Sequence, residues 1–254
     1  MAPRSLFRRA LDDVVVSLIC GVGFLLLPIL IPCSRARQWL FVRVLVLAGW
    51  LWRDSFEGAR RDMMTALDDI ESRDPQLRAD GAVRVLEVGA GYGANFAMMR
   101  RKVKYWNVDP NTEFQSAFLD TLKKYPKVEM ERWVPGYGED MHQVPDDHFD
   151  VVLVTHLLCS VNCAEKVLQE CRRVLVKGGR LVFMEHVAQP KGSLGRLLQS
   201  LLTPVWRIVC CGCCLNRDSG DVIRSAGFAE VHMKETHVEM PIILTRHVYG
   251  YAVA

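Results

Sequence analysis

The stretch VLEVGAGYGANF, residues 85–96, decides the fold of this chain. Residues of strand character lead into three glycines spaced two apart, Gly89, Gly91 and Gly93. Glycine lets the backbone turn tightly and lets a ligand approach without a Cβ in the way. In open α/β sheets, ligands bind beyond the carboxyl ends of the strands, which is where the first strand delivers such a turn. The stretch therefore predicts an α/β fold with a ligand at this turn.

Strand and helix patterns alternate after the turn. Strand-like runs cover 103–109, 127–134, 149–155 and 180–187, with helical patterns over 111–124 and 164–176. This alternation predicts a parallel, doubly wound sheet. The pair Gly178-Gly179 is expected to end the second helix. The final runs, 228–237 and 243–253, have no helix between them and are expected to pair antiparallel.

The basic charge of the chain lies in its first part. The whole chain has 254 residues and a net charge of +3. Residues 1–53 carry seven arginines against two aspartates, a balance of +5, so the remainder carries −2. Phosphate binding needs a basic surface on the folded body. We therefore expect no nucleic acid as a partner.

Residues 14–34 contain no charged side chain and are long enough to cross a bilayer as a helix. A second apolar run follows, edged by Trp39 and Trp50, and tryptophan suits the membrane interface. A cleaved signal peptide, a single spanning helix and a hairpin or in-plane anchor are the three hypotheses. Pro28 and Pro32 favour a bend and so the last of these. We expect residues 1–53 to be a membrane anchor.

Apolar residues recur at helical spacing over 54–80, which predicts an amphipathic linker helix. This helix either covers the entrance to the site or only packs against the domain. The remaining residues, 81–254, form the catalytic or binding domain in this division of the chain.

Nine cysteines do not form the framework of a small secreted domain, and we expect them to be mostly reduced. The run Cys210–Cys214, CCGCC, is the exception that could carry a function. A structural zinc usually needs two separated ligand pairs, and no second pair of this kind exists in the sequence. A loop of buried or membrane-facing thiols is the favoured interpretation, with metal binding and S-palmitoylation as alternatives.

The glycine turn alone does not identify its ligand, since it also satisfies the dinucleotide pattern G-x-G-x-x-A. The carboxylate of Glu87 would repel a pyrophosphate but could bind a cationic amino acid portion. Asp109, at the end of the second strand, can accept two hydrogen bonds from a ribose diol. Glu139, Asp140 and Met141 precede the fourth strand, where they could bracket an adenine. These residues favour S-adenosylmethionine, which carries a sulfonium, an ammonium and no phosphate.

Together, LEVGAGYGANF, NVDPN, GEDM followed by FDVV, and LVKGGRLVFMEH resemble the seven-stranded, Rossmann-like class I S-adenosylmethionine-dependent methyltransferases. With the apolar N-terminus, LLCSV, GCCLNRD and HVYGYAVA, the chain is similar to the microsomal alkyl thiol S-methyltransferases, the methyltransferase-like seven family. The resemblance implies a small lipophilic thiol as acceptor and no metal. It also implies an endoplasmic reticulum membrane or lipid droplet location, with the catalytic domain facing the cytosol. His156 departs from the family pattern, where an aliphatic residue is expected, and residues 234–242 do not match.

Methyl transfer from a sulfonium mainly requires that the two sulfurs be positioned and water excluded. His156 and His186, at the ends of the fourth and fifth strands, are the candidate catalytic bases. The candidate cofactor-binding residues are Glu87, Gly89, Gly91, Gly93, Asn95, Asp109, Pro110, Asn111, Gly138, Glu139, Asp140, Met141 and Thr155.

Three other functions remain open at this point. The chain could be a membrane-associated lipid or quinone methyltransferase acting on oxygen or carbon. It could instead be a nicotinamide enzyme, or a non-catalytic lipid-droplet protein that keeps the fold without turnover.

Overall fold

The computed structural model describes residues 6–254, with side chains described from residue 11 onward except that of Asp13. Within this part, a seven-stranded sheet has the order β3-β2-β1-β4-β5-β7-β6. The strands are β1 Val83–Val88, β2 Val103–Val108, β3 Val128–Val134, β4 Phe149–Thr155, β5 Leu175–His186, β6 Glu230–His237 and β7 Arg246–Val253. Strands β1 to β5 pair in parallel, and β7 is antiparallel to both β5 and β6. The predicted doubly wound sheet and the antiparallel final pair are confirmed.

Helices cover both faces of this sheet and extend in front of it. They are α1 Leu6–Leu25, α2 Leu27–Leu30, α3 Ser34–Met64, α4 Pro75–Ala79, α5 Gln115–Leu122, α6 Ala164–Val174, α7 Leu194–Val209 and α8 Ser219–Ser225. The glycine turn opens only a short 3-10 turn, Phe96–Met98, instead of a full helix. Gly178, expected to end α6, lies inside β5, where its amide donates to the carbonyl of Ala254. The helix ends earlier because β5 begins at Leu175 and pairs there with Phe149.

The centre of the sheet is its most buried part. Strand β4 has buried residues from Phe149 to Val154, since it lies between β1 and β5 and is covered on both faces. A fully covered parallel strand reads as a continuous apolar run, as this one does. The strand order changes direction between β1 and β4, which opens a crevice at their carboxyl ends. The glycine turn enters this crevice directly after β1.

The N-terminal region is a pair of long helices with a proline bend between them. Helix α1 ends at Leu25, Pro28 lies in the first turn of α2, and Pro32 follows this short helix. Arg37 closes the bend by donating to the carbonyls of Leu30 and Ile31, each at 2.8 Å. The bend lies where the two prolines predict it.

Helix α3 passes from the predicted anchor into the predicted linker helix without a break. It ends at Met64 and a 3-10 turn follows at Thr65–Leu67, so its bounds differ from the expected 54–80. Its buried residues change along its length, with Trp52 in a cluster with α1 and α7 and Met63 in a cluster with the sheet. None of the helices in the described residues is long and apolar enough to span a bilayer.

Candidate active site

A cavity of about 810 Å³ opens at the carboxyl ends of β1, β2 and β4, and we call it the main cavity. Its walls are the glycine turn, the residues that follow β2 and β4, and one side of α3. Gly89 has a φ of +74°, and a Cβ there would lie 2.9 Å from Cδ1 of Leu157. A side chain at this position would therefore both strain the backbone and press on the opposite wall of the cavity.

Asp109 holds the glycine turn against the end of β2. Its Oδ2 accepts from the backbone N–H of Gly91 at 3.3 Å, and its Oδ1 accepts from that of Asn111 at 2.8 Å. Burial raises the pKa of Asp109 to about 6, against the opposing effect of these two N–H donors. The side chain lines the main cavity, so a ligand that donates hydrogen bonds to it would favour its ionised form.

Two buried donors at the main cavity have no partner among the described residues. They are Nδ2 of Asn111, beside Asp109, and Nε of Arg60 on α3. A buried polar group without a hydrogen bond costs free energy, so each is suited to a ligand acceptor. Asp109 and Glu139 line the same cavity and would repel a pyrophosphate. The cavity therefore fits a cationic nucleoside with a ribose diol and a carboxylate, as S-adenosylmethionine has, better than a dinucleotide.

Glu87 lies beneath the glycine turn and does not line the main cavity. Its Oε1 accepts from Nδ2 of Asn95 at 2.7 Å, and its Oε2 accepts from the hydroxyl of Tyr105. The same Nδ2 of Asn95 donates to Oγ1 of Thr155 at 3.1 Å. Burial raises the pKa of Glu87. The carboxylate thus ties β1 to β2 and β4 under the turn, instead of reaching the ligand directly as expected.

The structure brings most of the predicted cofactor residues together and leaves some outside. Those that line the main cavity are Gly89, Gly91, Asp109, Pro110, Asn111, Gly138, Glu139 and Thr155, together with the candidate base His156. Gly93, Asn95 and Met141 are buried and do not line the main cavity. Asp140 is exposed and bonds the ring of His142 at 3.0 Å.

Helix α3 forms one wall of the main cavity, with residues from both the predicted anchor and the predicted linker helix. Phe41, Leu45 and Arg60 reach the main cavity from this helix, and Tyr92 meets it from the glycine turn. A Cβ on Gly49 would lie 2.1 Å from the Tyr92 hydroxyl, so the helix approaches the turn closely at this glycine. The apolar pattern of the segment could be explained by a membrane alone, and no motif marked these residues as part of a site.

A second cavity, which we call the apolar cavity, adjoins the first and has a volume of about 180 Å³. Most of its lining is apolar and comes from α1, α3, α7 and the segment before β7: Val16, Ile19, Val44, Ala48, Trp52, Phe56, Trp206, Met240 and Leu244. The two cavities share part of their walls: Phe41, Leu45, Arg60, Tyr92, His156 and Ser160 line both. An apolar ligand in the second cavity would therefore lie next to the contents of the first.

Two histidines face each other between the cavities. Nε2 of His156 lies 3.1 Å from Nε2 of His247, and the ring of Phe56 packs edge-on against both. Burial lowers the pKa of His156 well below its usual value, and burial lowers that of His247 to about 3. Both imidazoles are therefore neutral at physiological pH, and His156 is a weak base in the resting protein.

The second candidate base, His186, lines only the apolar cavity. Its Nε2 lies 3.1 Å from Sγ of Cys213, in the CCGCC run, and Sγ of Cys213 lies 3.8 Å from that of Cys159. From the sequence, His186 is a candidate base and the CCGCC run is a loop of thiols, and nothing connects the two. Their contact could not be foreseen, since the three side chains come from the β4–α6 loop, the end of β5 and the loop after α7.

The sequence matches a family model described as a methyltransferase domain over residues 86–183. It is 32% identical to human thiol S-methyltransferase TMT1A over 224 residues, covering 87% of each chain. It is 39% identical to human thiol S-methyltransferase TMT1B over 176 residues, covering 69% of this chain and 72% of the relative. The rat TMT1B is 37% identical over 178 residues, covering 70% of each.

Solved structures show the same fold at low sequence identity. A SAM-dependent methyltransferase from Thermotoga maritima superposes with a TM-score of 0.52 and 19% identity, covering 84% of this chain and 98% of that one. One from Methanosarcina mazei gives a TM-score of 0.52 and 15% identity, covering 70% and 96%.

Proposed function

The chain belongs to the family of S-adenosylmethionine-dependent methyltransferases that includes the thiol S-methyltransferases TMT1A and TMT1B, and we propose that it methylates the sulfur of small lipophilic thiols at a membrane surface. S-adenosylmethionine is its cofactor. When bound, the cofactor supplies an activated methyl group on a positively charged sulfur. The protein has to hold it, bring the acceptor sulfur into line and exclude water.

The residues of the main cavity suit the separate parts of the cofactor. The carboxylate of Asp109 can accept from the ribose hydroxyls, and the free amide donor of Asn111 lies beside it. The guanidinium of Arg60 has a free Nε for the carboxylate of the amino acid portion. Gly89 and Gly91 allow the backbone to approach the cofactor closely.

The observation that carries the proposal is the shared wall between the two cavities. An acceptor in the apolar cavity would lie beside His156 and Arg60, which line both cavities, and would direct its reacting atom toward the main cavity. The lining of the apolar cavity is apolar apart from its histidines, cysteines, Arg60, Arg53 and a few hydroxyls. This cavity therefore favours an acceptor with a hydrocarbon body. A thiol needs little general-base help, because its pKa of about 8.5 leaves a fraction ionised near neutral pH.

The membrane part of the proposal rests on an exposed apolar face. Large apolar side chains recur along the outer side of α1 at a spacing of three and four residues: Leu11, Val14, Leu18, Val22 and Leu25. Helix α7, which packs beside α1, also exposes Leu194, Leu197 and Leu201, and α3 exposes Trp39 and Trp50, the latter by 77%. Exposed apolar patches of this kind mark interaction surfaces.

A lipid surface is the occupant that suits this face best. Tryptophans at its edge, with Arg43 stacked over Trp39 at 5.0 Å, match the composition of a membrane interface. Helices that lie in the interface plane bury one apolar side without spanning the bilayer. We propose that the protein lies on the endoplasmic reticulum membrane or lipid droplets with its site toward the cytosol. Its nine free cysteines suit that reducing compartment.

The test is a methyl-transfer assay on the full chain with methyl-labelled S-adenosylmethionine. Matched acceptors would be an alkyl thiol, the alcohol and phenol of similar hydrophobicity, a quinone, and a polar thiol. We expect labelled thioether from the lipophilic thiol, slower transfer to the polar thiol, and a loss of both in Asp109→Ala. Label on phenol or quinone alone would instead indicate an oxygen or carbon methyltransferase. No donor consumption with any acceptor would indicate a non-catalytic protein.

A further inference from the structure

Three buried side chains with metal-ligand chemistry converge on one side of the apolar cavity. Cys159, His186 and Cys213 are 1%, 4% and 8% exposed, and their ligand atoms lie within 4.8 Å of one another. Within the described residues, this is the group of histidine, cysteine and acidic side chains that could hold a metal ion. We call it the Cys-His-Cys cluster.

The spacing of the cluster matches a tetrahedral zinc site. With zinc–sulfur bonds of about 2.3 Å, two thiolates of a tetrahedron lie about 3.8 Å apart. The two sulfurs of Cys159 and Cys213 are 3.8 Å apart. Nε2 of His186 is 3.1 Å from Sγ of Cys213, so a shift of a few tenths of an ångström would give the spacing of about 3.5 Å that zinc requires.

The backbone holds the three side chains in place. The amide of Cys214 donates to the carbonyl of Cys159 at 2.8 Å, which fixes the CCGCC loop to the loop after β4. A Cβ on Gly212 would lie 2.4 Å from the carbonyl oxygen of Ser160, so only glycine allows this approach. The carboxylate of Glu185 accepts from the amides of residues 157–159, which anchors the same loop to β5. The cluster is therefore a built site and does not depend on a flexible loop.

The surroundings of the cluster also suit zinc. Two thiolates cancel the charge of Zn²⁺, and a neutral imidazole adds none, so the site with zinc and no acceptor would be uncharged in a largely apolar cavity. Cysteine and histidine together select zinc over magnesium or calcium, which prefer oxygen ligands. All three residues line the apolar cavity, so a fourth ligand would come from that side.

We propose that Cys159, His186 and Cys213 bind a zinc ion whose fourth position, open to the apolar cavity, takes the sulfur of the acceptor thiol. Three protein ligands and an open position are the arrangement of catalytic zinc sites. The role of the fourth position rests on the proposed function, whereas the zinc site itself does not. The sequence disfavours a metal because it shows no second ligand pair beside the CCGCC run, and the family resemblance implies none; the zinc proposal departs from both.

The bound acceptor would react without any change of oxidation state. Its sulfur binds zinc as its proton leaves to solvent, since a coordinated thiol is deprotonated. That sulfur then forms a bond to the methyl carbon of the donor while the bond between this carbon and the sulfonium breaks. The products are the methyl thioether, S-adenosylhomocysteine and one proton. Zinc would thus increase the ionised fraction of the acceptor thiol without a base from the protein.

A disulfide between Cys159 and Cys213 is the competing use of the two sulfurs. Its bond length of about 2.05 Å would require them to approach by about 1.8 Å. Zinc and a disulfide exclude each other, and a reductant prevents the disulfide, so metal content measured under reducing conditions tests the zinc site alone.

The experiment measures zinc per chain by mass spectrometry after purification of the full chain in detergent with a thiol-free reductant. We expect about one zinc per chain in the unaltered protein and in Cys214→Ser, a control in the same loop outside the cluster. We expect less than about a tenth of that in Cys159→Ser and in Cys213→Ser. Unaltered protein that stays free of zinc after incubation with it, or cluster variants that keep it, would overturn the site.

Cobalt replacement keeps the proposal testable if the serine variants do not fold. Co²⁺ in the unaltered protein should show thiolate charge-transfer absorption and the strong visible bands of tetrahedral coordination. Adding an alkyl thiol should change these bands if it becomes the fourth ligand, and unchanged bands would overturn that role. A chain that methylates thiols equally well after zinc removal keeps the proposed function and the zinc site but loses the proposed role of the fourth position. A chain that binds zinc but methylates no thiol keeps the zinc site and loses the proposed function.

Discussion

The hydroxyl of Tyr92, in the glycine turn, lies where a side chain on Gly49 of α3 would have to be placed. A Cβ at Gly49 would be 2.1 Å from this oxygen, closer than any normal contact. The turn and the helix therefore meet at a position that only glycine permits. Since both line the main cavity, the contact bears directly on cofactor binding.

Gly49→Ala should push Tyr92 and the helix apart. We expect a loss of about 1–3 kcal/mol in the free energy of unfolding from overpacking, and an affinity for S-adenosylmethionine about tenfold lower. Calorimetric titration and thermal unfolding measure the two effects. Gly58→Ala is the matched control on the same helix, because nothing lies within 4 Å of its Cβ position. It should raise the free energy of unfolding by about 0.5–1 kcal/mol and leave the affinity unchanged.

Cofactor affinity should depend on pH through Asp109. Its pKa of about 6 means that the cofactor-free protein carries a protonated side chain below that pH. Ribose hydroxyls donate to the ionised form, so affinity should be constant above pH 7 and about tenfold lower at pH 5. Calorimetric titration across this range, with Asp109→Asn as a pH-independent reference, measures the effect. Parallel pH profiles for the two proteins would exclude Asp109 as the ribose ligand.

The same carboxyl group should lower the free energy of unfolding of the cofactor-free protein as the pH rises, whereas it raises the cofactor affinity. Burial raises its folded-state pKa to about 6, above the ordinary value of 3.8, so its protonated form favours folding. This contribution is full below about pH 4 and is lost as the pH rises through 6, a change of roughly 3 kcal/mol. At pH 8, Asp109→Asn should therefore have a higher free energy of unfolding than the unaltered, cofactor-free protein. At pH 4 this difference should be smaller. Denaturant unfolding at the two pH values checks this, and an equal difference at both would contradict it.

Filling the apolar cavity should change acceptor size preference. Ala48 lines this cavity from α3, and Ala48→Met adds volume to a space of about 180 Å³. We expect the KM for bulky thiols to rise about tenfold while that for methanethiol-sized acceptors changes little. Val46→Met, on the exposed side of the same helix, is the control. An equal effect on small and bulky acceptors would place the acceptor elsewhere.

Charged substitutions on the exposed apolar face should reduce membrane binding. Leu18 on α1 and Leu201 on α7 are 62% and 66% exposed, and burying such a side chain in lipid contributes about 1.5–3 kcal/mol. Leu18→Glu and Leu201→Glu should each lower binding to phosphatidylcholine vesicles about tenfold or more in flotation assays. Leu119→Glu changes a leucine on α5 that is 43% exposed and lies outside α1, α3 and α7, and it should have no effect. If all three variants bind alike, the face does not contact lipid.

Sequence reasoning predicted the sheet well because its signals are local. The buried run of β4, the glycines after β1 and Asp109 after β2 each follow from a short stretch and a general rule of parallel sheets. The role of Glu87 could not be predicted in the same way. Its position in sequence matches a ligand contact, but Tyr105 and Asn95 engage it beneath the cavity.

What could not be predicted depends on contacts between distant segments. The apolar pattern of residues 14–52 is equally consistent with lipid and with protein neighbours, and in the structure Trp52 is buried while Trp50 is exposed. The Cys-His-Cys cluster joins loops that are 27 and 54 residues apart in the chain. No spacing rule for metal ligands covers separations of this kind.

Helix α3 spans 31 residues, about 46 Å, and serves both the exposed apolar face and the two cavities. Removing residues 1–53 would therefore take away Phe41, Leu45 and Gly49, which form part of the walls of the main cavity and the apolar cavity. If the proposed membrane association holds, detergents or lipid nanodiscs would keep these residues in place, whereas truncation would remove them. One helix thus carries part of the exposed apolar face and part of the wall of the cavity that fits the cofactor.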